Sequence, residues 1–242
     1  MIKIENADVL GWEAAIRGMR NPLNSWDKSD SKYFNDPIYD EAHPMFIHDN
    51  PIFSLGPNDL DLMKRLRLAG TDHRKFMRML TVYVDITAPL YWWKEFDTYK
   101  VGTVANSCST MHKIHAKEFT LEDFSHEHLD SCDICATEDF QYQLGDYYWP
   151  EYTAIDILNL TIESLNFFRK KYLEAKDKRY WWQMIQLLPS SYNQKRTVML
   201  NYEVLANMYK SRKTHKLDEW RELCEWMRGL PYSELITGEF EE

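Results

Sequence analysis

In the stretch MLTVYVDIT (residues 79–87) apolar and polar positions alternate and β-branched residues dominate, which predicts a strand. The opening run IKIENADVL and the later QKRTVML read the same way. Elsewhere the apolar period lengthens to that of a helix. Ile155, Leu158, Ile162, Leu165 and Phe168 recur at helical spacing and predict one long helix over 152–175. GWEAAIRGM predicts a short helix ending near Asn21-Pro22. DLDLMKRLRLA predicts another, with Asn58 as its N-cap and Gly70 closing it. Pro89 suits the first turn of a helix through PLYWWKEFDTY. Helices over 179–188, 202–212 and 217–229 complete the C-terminal half.

Two segments carry no period. Residues 21–57, rich in Asn, Asp, Pro and Ser, read as a long loop. Residues 117–150 are polar, acidic and mixed, and read as an insertion or lid. The expected class is α+β, helix-dominant, as a single domain over 1–242.

Composition narrows the function classes. The chain has 242 residues, 44% hydrophobic and 28% charged, which is ordinary globular usage. No apolar run approaches the roughly 20 residues of a membrane span, and MIKIENADVL lacks a secretory pattern, so a soluble cytoplasmic protein is expected. A net charge of −9 disfavours binding along a nucleic-acid backbone but permits a small anionic ligand held by a few local cations. Nine Trp, 15 Tyr and 11 Phe supply flat surfaces that serve a core or stack on a planar ligand. Four cysteines, Cys108, Cys132, Cys135 and Cys224, do not form a disulfide framework.

Candidate chemistry concentrates in three places. The stretch YWWKEFDTYKVGTVANSCSTMH (91–112) is either a charged core helix or the lining of a site. It offers cations at Lys94, Lys100 and Lys113, rings at Trp92, Trp93 and Tyr99, and a hydroxyl and amide run at Asn106, Ser107, Ser109 and Thr110. Arg17 and Arg20 share one face of a short helix that opens into the polar run Asn24–Ser31. That face suits a phosphate, or the run is a turn-rich connection bonding its own backbone. FSHEHLDSCDIC places His126, His128, Cys132 and Cys135 at a spacing open to a zinc site or to a loop with reduced thiols.

LLPSSYNQKRTVMLNYEVLANMYKSR resembles the C-terminal core of the flavin-dependent thymidylate synthases (ThyX), with Leu188, Pro189, Asn201, Leu205, Asn207 and Arg212 in register. His215 and Glu219 follow as in that family's His-x-x-x-Glu, one residue closer than usual. Upstream, Ala88-Pro89, Asn106 and Ser109 match its signature region, and His73 sits where the family often has a Gly-His pair. The resemblance covers roughly 58–112 and 152–237. The signature is altered. Its Arg-His-Arg triplet is Thr98-Tyr99-Lys100, its preceding Gln is Glu95, and its closing Arg-Tyr is Met111-His112. Three further Arg or His positions are Met79, Ile185 and Glu203. Bidentate guanidinium contacts are not replaced by such side chains.

The resemblance implies a small antiparallel sheet flanked by helices and a homotetramer with sites built between subunits. It also implies an enzyme using FAD, NADPH and methylenetetrahydrofolate to add one carbon at C5 of dUMP. By the same resemblance Arg212, Ser109, Arg20 and Glu95 would meet the nucleotide. Trp93, Tyr99, Lys100, Asn106 and His73 would meet the flavin. The alternative is a protein of the same fold that has lost flavin chemistry and acts as a nucleotide-binding or protein-interaction module.

Overall fold

The computed structural model describes residues 2–34, 52–137 and 151–240. The expected class holds: the chain is α+β, with a small antiparallel sheet flanked by helices. Strands β1 (Lys3–Leu10), β4 (Thr81–Pro89), β8 (Asn193–Asn201) and β5 (Val104–Ser107) pair in the order β1-β4-β8-β5. The alternation read in the sequence is the pleat of β4: Val82, Val84, Ile86 and Ala88 are fully buried, while Tyr83 on the other face is exposed. Two short pairs, β2 (Lys32–Phe34) with β3 (Ile52–Ser54) and β6 (Ile134–Thr137) with β7 (Glu151–Thr153), are antiparallel.

The chain packs as two compact units. One comprises Met1–Glu5, Asp85–Thr98 and Ala105–Thr197. Its helices are α3 (Leu90–Phe96), α4 (Ala154–Ala175) and α5 (Lys178–Leu187), close to their expected bounds. Leu158, Ile162 and Leu165 of α4 pack with Met184 of α5 and with Ile114, Phe119 and Phe124. Part of the expected insertion is therefore core. Asn166 fastens it to α4, accepting from the Phe119 amide (2.9 Å) and donating to the Phe119 carbonyl (2.8 Å). Residues 138–150 lie outside the described residues.

The other unit comprises Asn6–Val84, Tyr99–Val104 and Val198–Glu242. It holds α1 (Trp12–Arg20), α2 (Pro57–Leu68), α6 (Tyr202–Arg212), α7 (Asp218–Arg228) and the short α8 (Glu234–Thr237). Trp12 starts α1 and packs edge-on to Tyr202 (5.6 Å) and Tyr232 (5.1 Å). Gly11 before it has φ +97°, and a Cβ there would lie 2.1 Å from the Met79 carbonyl oxygen, so only glycine admits this entry. The cap of α2 differs from expectation. Asn58 lies inside the helix, Gly56 is the N-cap residue, and the capping carboxylate comes from afar. Asp30 accepts from the amides of Asn58 (2.9 Å) and Asp59 (3.1 Å). Among the described residues no helix is long and apolar enough to cross a membrane.

Candidate functional site

In the first unit the two stretches that carry the resemblance are tied backbone to backbone. The first amides of α3 have no intrahelical partners; those of Leu90 and Tyr91 donate to the carbonyls of Tyr192 and Ser190 (3.0 Å each). After β5 the chain is fixed to β8: the Cys108 amide donates to the Lys195 carbonyl (2.9 Å), and Gln194 Nε2 donates to the Cys108 carbonyl (2.8 Å). This brings Ser109 and Thr110 to the wall of a cavity of ≈ 520 Å³. Ser109 Oγ accepts from the His112 amide (2.9 Å), which orients the hydroxyl with its proton as a donor.

The rest of the wall is mixed, with Phe124 among polar side chains. Thr87 and Tyr192 add hydroxyls, Asn193 and Gln194 amides, Lys3, Lys117 and Lys195 ammonium groups, and Glu122, Asp123 and Glu127 carboxylates. Lys195 bridges Asp85 (3.1 Å) and Glu5 (3.7 Å), and its pKa is raised chiefly by the hydrogen bond to Asp85. Lys117 pairs with Asp123. Burial pushes the Tyr192 phenol above its ordinary value, helped by the negative charge of Asp123, so Tyr192 stays a hydrogen-bond donor at neutral pH. His126 completes the rim; its Nδ1 lies 2.8 Å from the Phe124 carbonyl, which as an acceptor calls for a proton on Nδ1.

Trp93 does not present a face to this cavity. It is 1% exposed, its Nε1 donates to the Gln194 carbonyl (2.9 Å), and the Arg196 guanidinium covers its ring at 4.2 Å. Arg196 is held in turn by Asp97 (2.7 Å) and Gln194 Oε1 (2.9 Å). The expectation that Trp93 meets a ligand is therefore corrected: both Trp92 and Trp93 are core, because α3 is short and turns that side inward. Glu95 is half-buried, with its carbonyl accepting from Thr98 Oγ1 (2.7 Å). Asn106 is exposed on β5.

In the second unit Tyr99 and Arg212 meet. Arg212 Nε donates to the Tyr99 hydroxyl (3.0 Å), and the guanidinium lies 4.6 Å from the Trp220 ring centroid. Lys100 beside them is exposed. His73 is exposed and precedes a 3-10 turn, its amide donating to the Gly70 carbonyl (3.1 Å). Arg20 is corrected as a ligand contact. It is 3% exposed and fully engaged within the fold: Nε on Asp59 (2.7 Å), Nη1 on the Ser25 carbonyl (3.2 Å) and Nη2 on the Lys28 carbonyl (3.1 Å). The turn-rich reading of that loop is the one realised. Glu203, at a position that is Arg in the resembled motif, pairs with Arg74 (2.9 Å).

His126, His128, Cys132 and Cys135 are the four residues whose spacing is open to a zinc site. Among the described residues no group of three or more His, Cys, Asp or Glu comes together to hold a metal. Asp130 accepts from the amides of Cys132 (3.1 Å) and Asp133 (3.2 Å), which bends the chain over 130–133, and Cys135 lies beyond that bend in β6.

No protein-family model matches the chain, and no curated protein matches it in sequence. Solved structures do. A thymidylate synthase X (ThyX) from Helicobacter pylori, crystallised with FAD and dUMP, superposes with a TM-score of 0.62 at 14% identity over 98% of both chains. A UMP/dUMP methylase, PolB from Streptomyces cacaoi bound with 5-Br UMP, superposes with a TM-score of 0.54 at 14% identity over 98% of this chain and 95% of that one. The fold is that of ThyX. On this ThyX fold Ser109 lines a cavity, Tyr99 and Arg212 touch, and Trp93 and Arg20 are structural. Sequence reading missed Tyr192, Gln194, Lys195 and Lys117 as cavity wall. The only signal for the first three was their place between Leu188-Pro189 and Asn201 in the resembled stretch.

Proposed function

We propose that this protein is a nucleotide-modifying enzyme of the ThyX fold that binds a uracil nucleotide and adds one carbon at C5. The observation that carries the reading is the Ser109 cavity: a segment matching the ThyX signature delivers an oriented hydroxyl, beside ammonium groups, into a concave site of mixed lining. Ser109 and Thr110 would donate to phosphate oxygens, with Lys117 exchanging its Asp123 partner for the phosphate. The Tyr192 phenol would donate to a base carbonyl, favouring electron density moving toward that oxygen as C5 reacts.

FAD, NADPH and methylenetetrahydrofolate belong to this reading, as does a homotetramer. The donors at the altered triplet fit a flavin in kind but not in strength: the Tyr99 phenol and the Lys100 ammonium make single contacts where a guanidinium makes two. The flavin, once reduced by NADPH, would supply hydride, and Tyr99 and Lys100 would hold it. The burial of Trp93 and the engagement of Thr98 favour a second reading, in which the nucleotide is bound and flavin is not.

Titration decides between them. The first reading expects thermal stabilisation by dUMP and flavin absorbance in the purified protein or after addition of FAD. Stabilisation by dUMP with no uptake of FAD establishes the second. No response to dUMP, dTMP or UMP overturns both.

A further inference from the structure

The corner between α4 and α5 is basic and aromatic. Its sequence, FFRKKYLEAKDKRYWWQ (167–183), carries six cations against two carboxylates, in a chain whose net charge is −9. Lys176 ends α4 in the left-handed conformation (φ +54°), and Asp177 caps α5, accepting from the Arg179 amide (2.9 Å). This reversal presents Lys176, Lys178 and Arg179 within four positions, all three exposed. Arg179 pairs with Asp177 (2.7 Å), whereas Lys176 and Lys178 make no ion pair among the described residues. They lie over rings instead: Lys176 Nζ is 5.6 Å from the Tyr172 centroid, and Lys178 Nζ is 5.8 Å from that of Trp182. His115 packs edge-on to Tyr172 (4.8 Å), and its carbonyl accepts from Arg169 Nε (3.0 Å). Burial, and then the positive charges of Lys176, Lys113 and Arg169, hold His115 below its ordinary value, so the field of the corner reaches that ring. Trp182 lies one helical turn beyond Lys178, on the same face of α5. It is 43% exposed and is held edge-on by Trp181 (4.9 Å), whose own Nε1 donates to the Met111 carbonyl (2.9 Å).

We propose that the α4–α5 corner binds single-stranded nucleic acid, with Lys176, Lys178 and Arg179 on neighbouring phosphates and one base stacked on Trp182. Lys176 and Lys178 lie over rings of different helices, so they offer separate phosphate contacts and not one small-anion pocket. Arg179 exchanges its Asp177 partner for a phosphate. An anionic membrane surface fits less well, because it takes up a continuous apolar face. On α5 Met184 is buried, and the exposed Trp182 and Leu187, five positions apart, point about 140° away from each other. A single fixed ring among cations suits a base, whose own faces are flat. The acidic net charge does not oppose this, since charges act on a ligand within a Debye length of about 8 Å at physiological salt. The proposal does not rest on the nucleotide reading of the Ser109 cavity.

The test is fluorescence anisotropy of a labelled oligodeoxythymidylate of about 12 nucleotides, titrated with the full-length protein at about 50 mM salt. Binding is expected, weakening with salt at a log–log slope of about −2, from three phosphates at about −0.7 each. Trp182→Ala should weaken it about tenfold and Trp182→Phe much less, because a phenyl ring still stacks. Lys176→Ala/Lys178→Ala should weaken it and flatten the slope by about 1.4. These side chains are exposed, so each variant should melt as wild type does. Excess dUMP should leave the anisotropy unchanged, which separates this site from the Ser109 cavity. Wild-type protein that binds no oligonucleotide, or binding that neither the Trp182 nor the lysine substitutions alter, overturns the proposal. So does displacement of the oligonucleotide by dUMP, and so does binding to phosphatidylserine vesicles without binding to the oligonucleotide.

Discussion

Arg20 and Asp59 form a buried ion pair, Nε to Oδ1 at 2.7 Å, with side-chain exposures of 4% and 0%. Asp59 Oδ2 accepts at the same time from Ser29 Oγ (2.8 Å), Ser31 Oγ (2.6 Å) and the amides of Asp30 and Ser31 (3.1 Å each). One carboxylate thus gathers the loop that follows α1 and joins it to α2. Removing either partner leaves the other charge buried. Asp59→Ala and Arg20→Ala should each cost on the order of 3–5 kcal/mol of stability, read as a shift in the urea midpoint. A double variant Arg20→Met/Asp59→Leu should lose less than the two single losses added together. Equal additivity would mean that the two charges do not act as a pair.

The same carboxylate makes stability depend on pH. Burial raises the Asp59 pKa, but hydrogen bonds from Ser31, Ser29 and Arg20 and the charge of Arg20 outweigh it, leaving the folded value below the ordinary 3.8. A depressed carboxylate stabilises the fold above its unfolded pKa. That contribution should be whole at pH 5 and above and fade as pH falls below about 4 through the folded value. Thermal melts from pH 6 to pH 2 should show a steeper acid loss for wild type than for Asp59→Asn.

Asp30 caps α2 only because residue 56 has no side chain. A Cβ on Gly56 would lie 2.2 Å from Asp30 Cγ. Gly56→Ala should therefore displace the cap and cost about 1–2 kcal/mol. Asp30→Ala should cost about the same, and the two changes together little more than either.

The four cysteines should separate by reactivity. Burial pushes the Cys224 thiol up to about 11, whereas Cys108, Cys132 and Cys135 are exposed. Native protein at pH 8 should release three equivalents of thionitrobenzoate promptly and the fourth only on unfolding. A prompt fourth equivalent would place Cys224 in contact with solvent.

Ser109 is the residue of the proposed nucleotide site whose substitution should be read first. Ser109→Ala should weaken dUMP binding about tenfold, the loss of roughly one charge-assisted hydrogen bond, and leave the unfolding midpoint within about 0.5 kcal/mol of wild type. Unchanged affinity with unchanged stability would remove Ser109 from the site.

The elements and their class are written along the chain. A period of two put Val82, Val84 and Ile86 on one buried face of β4, and a helical period put Leu158, Ile162 and Leu165 on one buried face of α4. Those patterns are local, because the pleat and the helical turn are local geometry. The same holds for the motif residues that carry the resemblance to ThyX. Which polar and aromatic groups serve the fold, and which face a cavity, was settled by packing instead. Trp93 and Arg20 have the chemistry of ligand contacts, yet Arg196 covers the one and Asp59 neutralises the other. Tyr192 and Lys195 read as ordinary residues of a polar run, yet pairing of β8 with β5 sets them beside Ser109. A side chain's role follows from the partner that desolvates or neutralises it. Asp59 lies 39 positions beyond Arg20 and Arg196 lies 103 positions beyond Trp93, separations that no local pattern encodes.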